Sequence, residues 1–112
     1  MSASLPLFVF GTLRSGQCNH DLLRGRYEKR LQARLFGYER VGPLMIARRE
    51  SGVVLGELFF LPSDLSAEIM ADCDELEMLP PGETRGEWYE RIVVAVSTPE
   101  GEFEAWAYVR PE

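Results

Sequence analysis

The chain is 112 residues long, carries a net charge of −6 and is 46% hydrophobic with 11% aromatics, enough apolar material for one core and a single domain spanning residues 1–112. Its basic residues, Arg24, Arg26, Lys29, Arg30, Arg34, Arg40, Arg48 and Arg49, are dispersed among acids and apolar positions, which argues against a nucleic-acid partner. No apolar run approaches the roughly 18 residues that span a bilayer, Met1–Pro6 lacks the features of a signal peptide, and Cys18 and Cys73 have neither disulfide-framework nor zinc spacing; a soluble cytoplasmic protein with reduced thiols and no membrane association is expected.

In chain order, Leu5–Phe10 reads as an apolar strand that runs directly into a loop bracketed by Gly11 and Gly16. Such a turn can leave the N–H groups of Thr12 to Ser15 free to hold a carboxylate or a carbonyl oxygen. Asn19 is suited to cap a short helical segment over His20–Tyr27, with Asp21 favourably placed in its first turn. Leu31–Tyr38 alternates as a second strand, and Val41–Ile46, interrupted by Gly42-Pro43, reads as an irregular crossing segment. Val53–Leu61 is a buried strand whose Gly56 marks a close approach to the backbone and hints at a pocket.

Pro62-Ser63-Asp64 opens the main helix, because Leu65, Ile69, Cys73 and Leu76 recur on one face. The helix must stop before Pro80-Pro81-Gly82, and a polar loop follows to Glu87. Trp88–Ser97 and Phe103–Val109 then form a hairpin: Ile92, Val94 and Val96 face Ala105, Ala107 and Val109, with the turn at Thr98–Gly101. The pattern implies an α+β fold, a small mixed β-barrel of five to seven strands flanked by one main and one or two short helices, with the main helix packed across an opening.

His20 is the sole histidine, so a histidine-based metal centre or a Ser-His-Asp relay has little to draw on. Cys18-Asn19-His20 reads as a helix start rather than a nucleophile and base. Neither nucleotide-binding glycine motif is present. Carboxylates remain: Asp72, Asp74, Glu75 and Glu77 crowd the helix C-terminus, an unfavourable place for negative charge. The apolar stripe puts Glu77 beside the buried face and turns Asp74 and Glu75 toward solvent. A partly buried Glu77 should have a raised pKa suited to proton transfer near neutrality; the alternative is a solvated acidic helix end.

The segments F-V-F-G-T-L-R-S-G, G-V-V-L-G-E-L-F, C-D-E-L-E, Y-E-R-I-V-V and E-A-W-A-Y-V occur in an order that resembles the γ-glutamylcyclotransferase-like family across Leu7–Val109. The resemblance implies a small barrel flanked by helices, and an enzyme that cleaves a γ-glutamyl amide by cyclising the glutamyl group to 5-oxoproline. The last residue of the family's L-D-x-x-E motif falls on Glu77, implied as the catalytic acid/base. The substrate-cradling loop falls on Phe10, Gly11, Thr12 and Leu13, and Arg14 is either a substrate-carboxylate partner or the ion-pair partner of a helix-end acid. Tyr89, Arg91, Trp106 and Tyr108 match family positions and are read as packing.

Three features depart from the family pattern: Phe10 stands where tyrosine is usual, Cys73 replaces a leucine, and the connection from Glu77 to Tyr89 is long, so Met78–Glu87 is expected to form a rim that selects the leaving amine. The implied reaction uses the α-amine of the small-molecule substrate as nucleophile and needs no metal or other cofactor. A non-catalytic small-molecule binding module on the same barrel is the alternative, and an enzyme acting on a different amide is a third reading. The leaving amine and the oligomeric state are left open.

Overall fold

The computed structural model describes residues 5–11, 23–42 and 45–111. Within them the chain forms strands β1 (Leu7–Val9), β2 (Lys29–Gly42) and β3 (Met45–Phe60), helix α1 (Ser66–Leu76), and strands β4 (Glu90–Thr98) and β5 (Gly101–Val109). The strands close into a mixed barrel in the order β1-β3-β2-β4-β5. β1 lies antiparallel to β3 and parallel to β5, with Leu7 level with Trp106. Two of the seams are short, β1 meeting β5 at Leu7–Trp106 and β2 meeting β4 at Arg34–Ser97.

Alternation along the strands builds two cores. Phe8, Phe10, Ala33, Leu35, Val54, Leu58, Val94, Val96, Ala105, Ala107 and Val109 fill the barrel. Their neighbours Leu7, Val9, Phe59 and Tyr108 point outward and pack with Ile69, Met70 and Cys73 of α1. The helix therefore lies against the outer wall made by β1, β3 and β5, not across an opening, because those strands carry apolar residues on both faces and leave a hydrophobic wall for it to cover.

The elements correct the sequence reading at several points. β1 is three residues long, short of Leu5–Phe10. The region read as an irregular crossing is where β2 and β3 meet, since β2 continues to Gly42 and Gly42 pairs with Met45. β3 begins eight residues before Val53, and its register against β2 shifts between Phe36 and Tyr38. There Gly37 takes a φ of 88°, a left-handed conformation that favours glycine. The close approach at Gly56 is made by β1 and not by a ligand: a Cβ there would lie 2.2 Å from the Val9 carbonyl oxygen.

The segment Pro62–Leu65 is a turn, closed by the Leu65 amide donating to the Pro62 carbonyl at 3.1 Å. α1 starts only after it, with Leu65 as an N-cap that makes no side-chain capping bond. The predicted hairpin is present as β4 and β5, joined by Pro99-Glu100. Trp88 falls outside β4 and is 55% exposed. Of the expected helical segment over His20–Tyr27, the part up to Leu22 lies outside the described residues, and Leu23–Gly25 forms a turn.

Candidate active site

The C-terminal turn of α1 is closed by two backbone bonds: the Leu79 amide donates to the Asp74 carbonyl at 2.9 Å and the Met78 amide to the Glu75 carbonyl at 3.1 Å. Met78 between them has a φ of 61°, so it occupies the left-handed position that glycine usually takes in this closure. Leu79 is thereby turned into the outer core beside Cys73 and Leu76. Glu77, the residue that caps the helix, is held at the point where chain direction reverses.

The four acids of this turn have different fates. Asp72 pairs with Arg26 at 3.0 Å, and Glu75 is exposed. Asp74, expected to face solvent, is instead partly buried: its Oδ1 and Oδ2 accept hydrogen bonds from Arg91 Nε (2.9 Å) and Nη2 (3.1 Å), and Oδ1 accepts a third from Tyr108 Oη at 2.6 Å. The Arg91 guanidinium also stacks on Trp106, 4.3 Å from the ring centre. Helical geometry turned Asp74 away from the apolar stripe, and the hairpin β4–β5 came to meet it there.

Glu77 is half-buried, and burial alone pushes its carboxyl up from 4.5 to about 7. No cation or donor among the described residues offsets that desolvation, so the group is poised to exchange a proton near neutral pH. Burial, then the charge of Glu77, raises the Tyr89 hydroxyl. Burial, reinforced by Glu77, Asp74 and Asp72, pushes the Cys73 thiol up to about 12. Cys73 is consequently an inert member of the core, as its place on the apolar stripe predicts.

Of the loop residues expected to hold substrate, Phe10 directly follows β1, with its ring buried in the barrel. The Arg40 side chain donates to the Phe10 carbonyl and lies over its ring, 5.4 Å from the centre. Gly11 follows, half-buried. Thr12, Leu13 and Arg14, with Cys18, Asn19 and His20, lie outside the described residues. A second acid, Glu57, is 8% exposed; it pairs with Val9 across the sheet and stands 3.7 Å from Arg30.

The parallel pairing of β1 and β5 sets the register between them. Leu7 is level with Trp106, so two residues further along each strand Val9 and Tyr108 stand on the same helix-facing side. Because Asp74 is bonded to Tyr108, the last turn of α1 is tied to β5, the strand that runs parallel to β1. The residues missed in the sequence were Asp74, Arg40 and the polar role of Arg91 and Tyr108. The one available signal was the spacing of Asp74, a single turn before Glu77, in a chain that also carries a Y-x-R strand.

Fold and site together define a small α+β barrel protein with one poised carboxyl at the end of the helix on its outer wall. The chain belongs to the AIG2-like γ-glutamyl cyclotransferase family, whose model matches residues 7–112. No curated protein matches it in sequence. Among solved structures it resembles YkqA from Bacillus subtilis (TM-score 0.73, 24% identity, covering 95% of this chain and 35% of YkqA). It also resembles At3g28950.1 from Arabidopsis thaliana (TM-score 0.69, 22% identity, covering 98% of this chain and 66% of that one), and a γ-glutamyl cyclotransferase (TM-score 0.60, 15% identity, covering 96% and 67%). The chain thus spans about a third of YkqA and about two thirds of the other two, and at these identities the likeness is one of fold.

Proposed function

We propose that the protein is a γ-glutamyl cyclotransferase-type enzyme that converts a small-molecule γ-glutamyl amide into 5-oxoproline and a free amine, with Glu77 as general acid/base. The observation that carries this reading is the carboxyl of Glu77, desolvated at the family's L-D-x-x-E position and raised to about 7. In the proposed reaction Glu77 takes a proton from the α-ammonium of the substrate. The freed amine attacks the γ-carbonyl carbon, forming the ring C–N bond and a tetrahedral oxyanion. Collapse breaks the original amide C–N bond as Glu77 returns its proton to the departing nitrogen, and the ring nitrogen gives up its second proton to the released amine through solvent, so that the products are the neutral lactam and an ammonium.

Phe10 and Gly11, with Thr12, Leu13 and Arg14, are proposed to hold the substrate carboxylate or the developing oxyanion. Folding the substrate so that amine and carbonyl meet supplies proximity, worth up to roughly 7–11 kcal/mol in ideal cases. The segment Met78–Glu87 begins directly after Glu77 and folds back on the helix end, where a Cβ at Gly86 would lie 2.9 Å from the Met78 carbonyl oxygen. Its position supports a rim that contacts the leaving amine.

The test is 5-oxoproline release from a panel of γ-glutamyl amino acids and γ-glutamyl amines by the native protein and by Glu77→Gln. Release by the native protein, with an acid limb in kcat/KM near pH 7 and loss of at least a hundredfold in the variant, supports the reading. An active Glu77→Gln removes Glu77 from the reaction. Binding of 5-oxoproline without turnover of any substrate points to a binding module on the same barrel.

A further inference from the structure

Among the described residues no side chain donates a hydrogen bond to Glu77, and its place follows the backbone of the last helical turn, in which two restraints act next to it. One is the closure through Met78 and Leu79. The other is Asp74, one turn earlier, gripped by three donors on two different strands: Arg91 Nε and Nη2 from β4 and Tyr108 Oη from β5. The grip is stiff for identifiable reasons. The guanidinium and carboxylate meet in a two-point contact that resists rotation, Arg91 is sandwiched against Trp106, and the two side chains are only 15% and 18% exposed. The backbone of Arg91 also donates to the Thr84 carbonyl at 2.7 Å, which ties the Met78–Glu87 segment to the same point.

We propose that Asp74 is the positioning residue for Glu77: by locking the last turn of α1 to Arg91 and Tyr108, it holds the Glu77 carboxylate in its half-buried place at the helix end and keeps it from swinging into solvent. The inference rests on Glu77 as the proton-transferring group, and it assigns Asp74 no contact with substrate. It also explains how four acids coexist at a helix C-terminus. Asp74 has Arg91 as counter-ion and so adds little repulsion at Glu77, which is raised by burial alone. The groups facing this turn are Cys73 and Glu75 on α1, Tyr89 from the loop before β4, Arg91 from β4 and Tyr108 from β5.

The experiment pairs kinetics with direct titration of the Glu77 carboxyl by carbon-detected NMR on protein labelled at glutamate. Asp74→Asn keeps the size of the side chain, but the two-point contact is lost and the Arg91 charge loses its carboxylate partner. The Glu77 titration is then expected to fall by at least one pH unit, and the acid limb of kcat/KM with it. On a responsive substrate kcat should drop at least tenfold with KM within threefold, since displacement of a reacting group by about an ångström costs up to a hundredfold. Tyr108→Phe, which removes one donor and leaves the Arg91 contact, should give a smaller shift in the same direction.

A folded Asp74→Asn with unchanged Glu77 titration overturns the proposal, as does a lower Tm with kcat and the acid limb unmoved. If Asp74→Asn does not fold, Arg91→Lys and Tyr108→Phe decide by the same readouts. A native protein that turns over no substrate speaks against the proposed activity, while the titration still decides the role of Asp74.

Discussion

Glu77 links burial to chemistry through a cost that a stability measurement can read. Its carboxyl has the ordinary value of 4.5 in the unfolded chain and about 7 in the folded one, so the native state holds this proton more tightly. Glu77 therefore disfavours folding least below pH 4.5, and stability is lost as the pH rises from there through 7. A shift of this size corresponds to up to about 3 kcal/mol before the screening that remaining water contact provides. Glu77→Gln should be about 1–3 kcal/mol more stable than the native protein at pH 8 and nearly equal at pH 4.5, measured by urea midpoints. Equal effects at both pH values contradict the burial argument. The half-burial of Glu77 was legible in the sequence because Leu65, Ile69, Cys73 and Leu76 define which side of the helix is buried. Asp74 was misread for the complementary reason: a helical pattern identifies the side facing its own core, and it carries no information about an arginine and a tyrosine arriving from a hairpin further along the chain.

Among the elements, α1 and the β4–β5 hairpin were visible because their periodicity is uninterrupted and their turn residues are unambiguous. The long β2–β3 pair was seen only in part. Ala47–Ser51, with Arg48, Arg49 and Glu50 in sequence, has the polarity of a loop, yet it is strand because Tyr38 pairs with Arg48 and Glu39 with Ala47. Pairing across the sheet overrode local composition. Gly56 shows what such pairing demands: β1 crosses β3 so closely that a Cβ would meet the Val9 carbonyl at 2.2 Å and the Phe8 ring at 2.8 Å. Gly56→Ala should cost at least about 1–3 kcal/mol by forcing β1 outward. Gly42→Ala, where a Cβ meets nothing within 4 Å, should stay within about 0.5 kcal/mol. Thermal melts of both variants check this, and equal losses would show that strand propensity and not the β1 crossing governs Gly56.

Across the molecule the two cores share β1, whose Phe8 enters the barrel while Leu7 and Val9 pack under α1. Barrel and helix should therefore unfold together. Leu58→Ala, which empties a fully buried barrel position, should lower stability by about 2–5 kcal/mol. Far-UV circular dichroism and the fluorescence of Trp106, which lies on the helix side of β5, should report one coincident transition with an unchanged denaturant slope. Separate transitions would show that α1 and its wall melt independently of the barrel.

Local regularities were sufficient for the α+β class, the main helix, the final hairpin and the acid at the helix end, since each depends on neighbours within a few residues and leaves a period in the chain. Tertiary structure alone decided that β1 closes the barrel parallel to β5, that α1 lies on the outer wall, and that Asp74 meets Arg91 and Tyr108. Those outcomes depend on contacts between residues 17 and more positions apart, whose formation is selected by the packing of the whole sheet, and such contacts impose no period on the sequence that makes them.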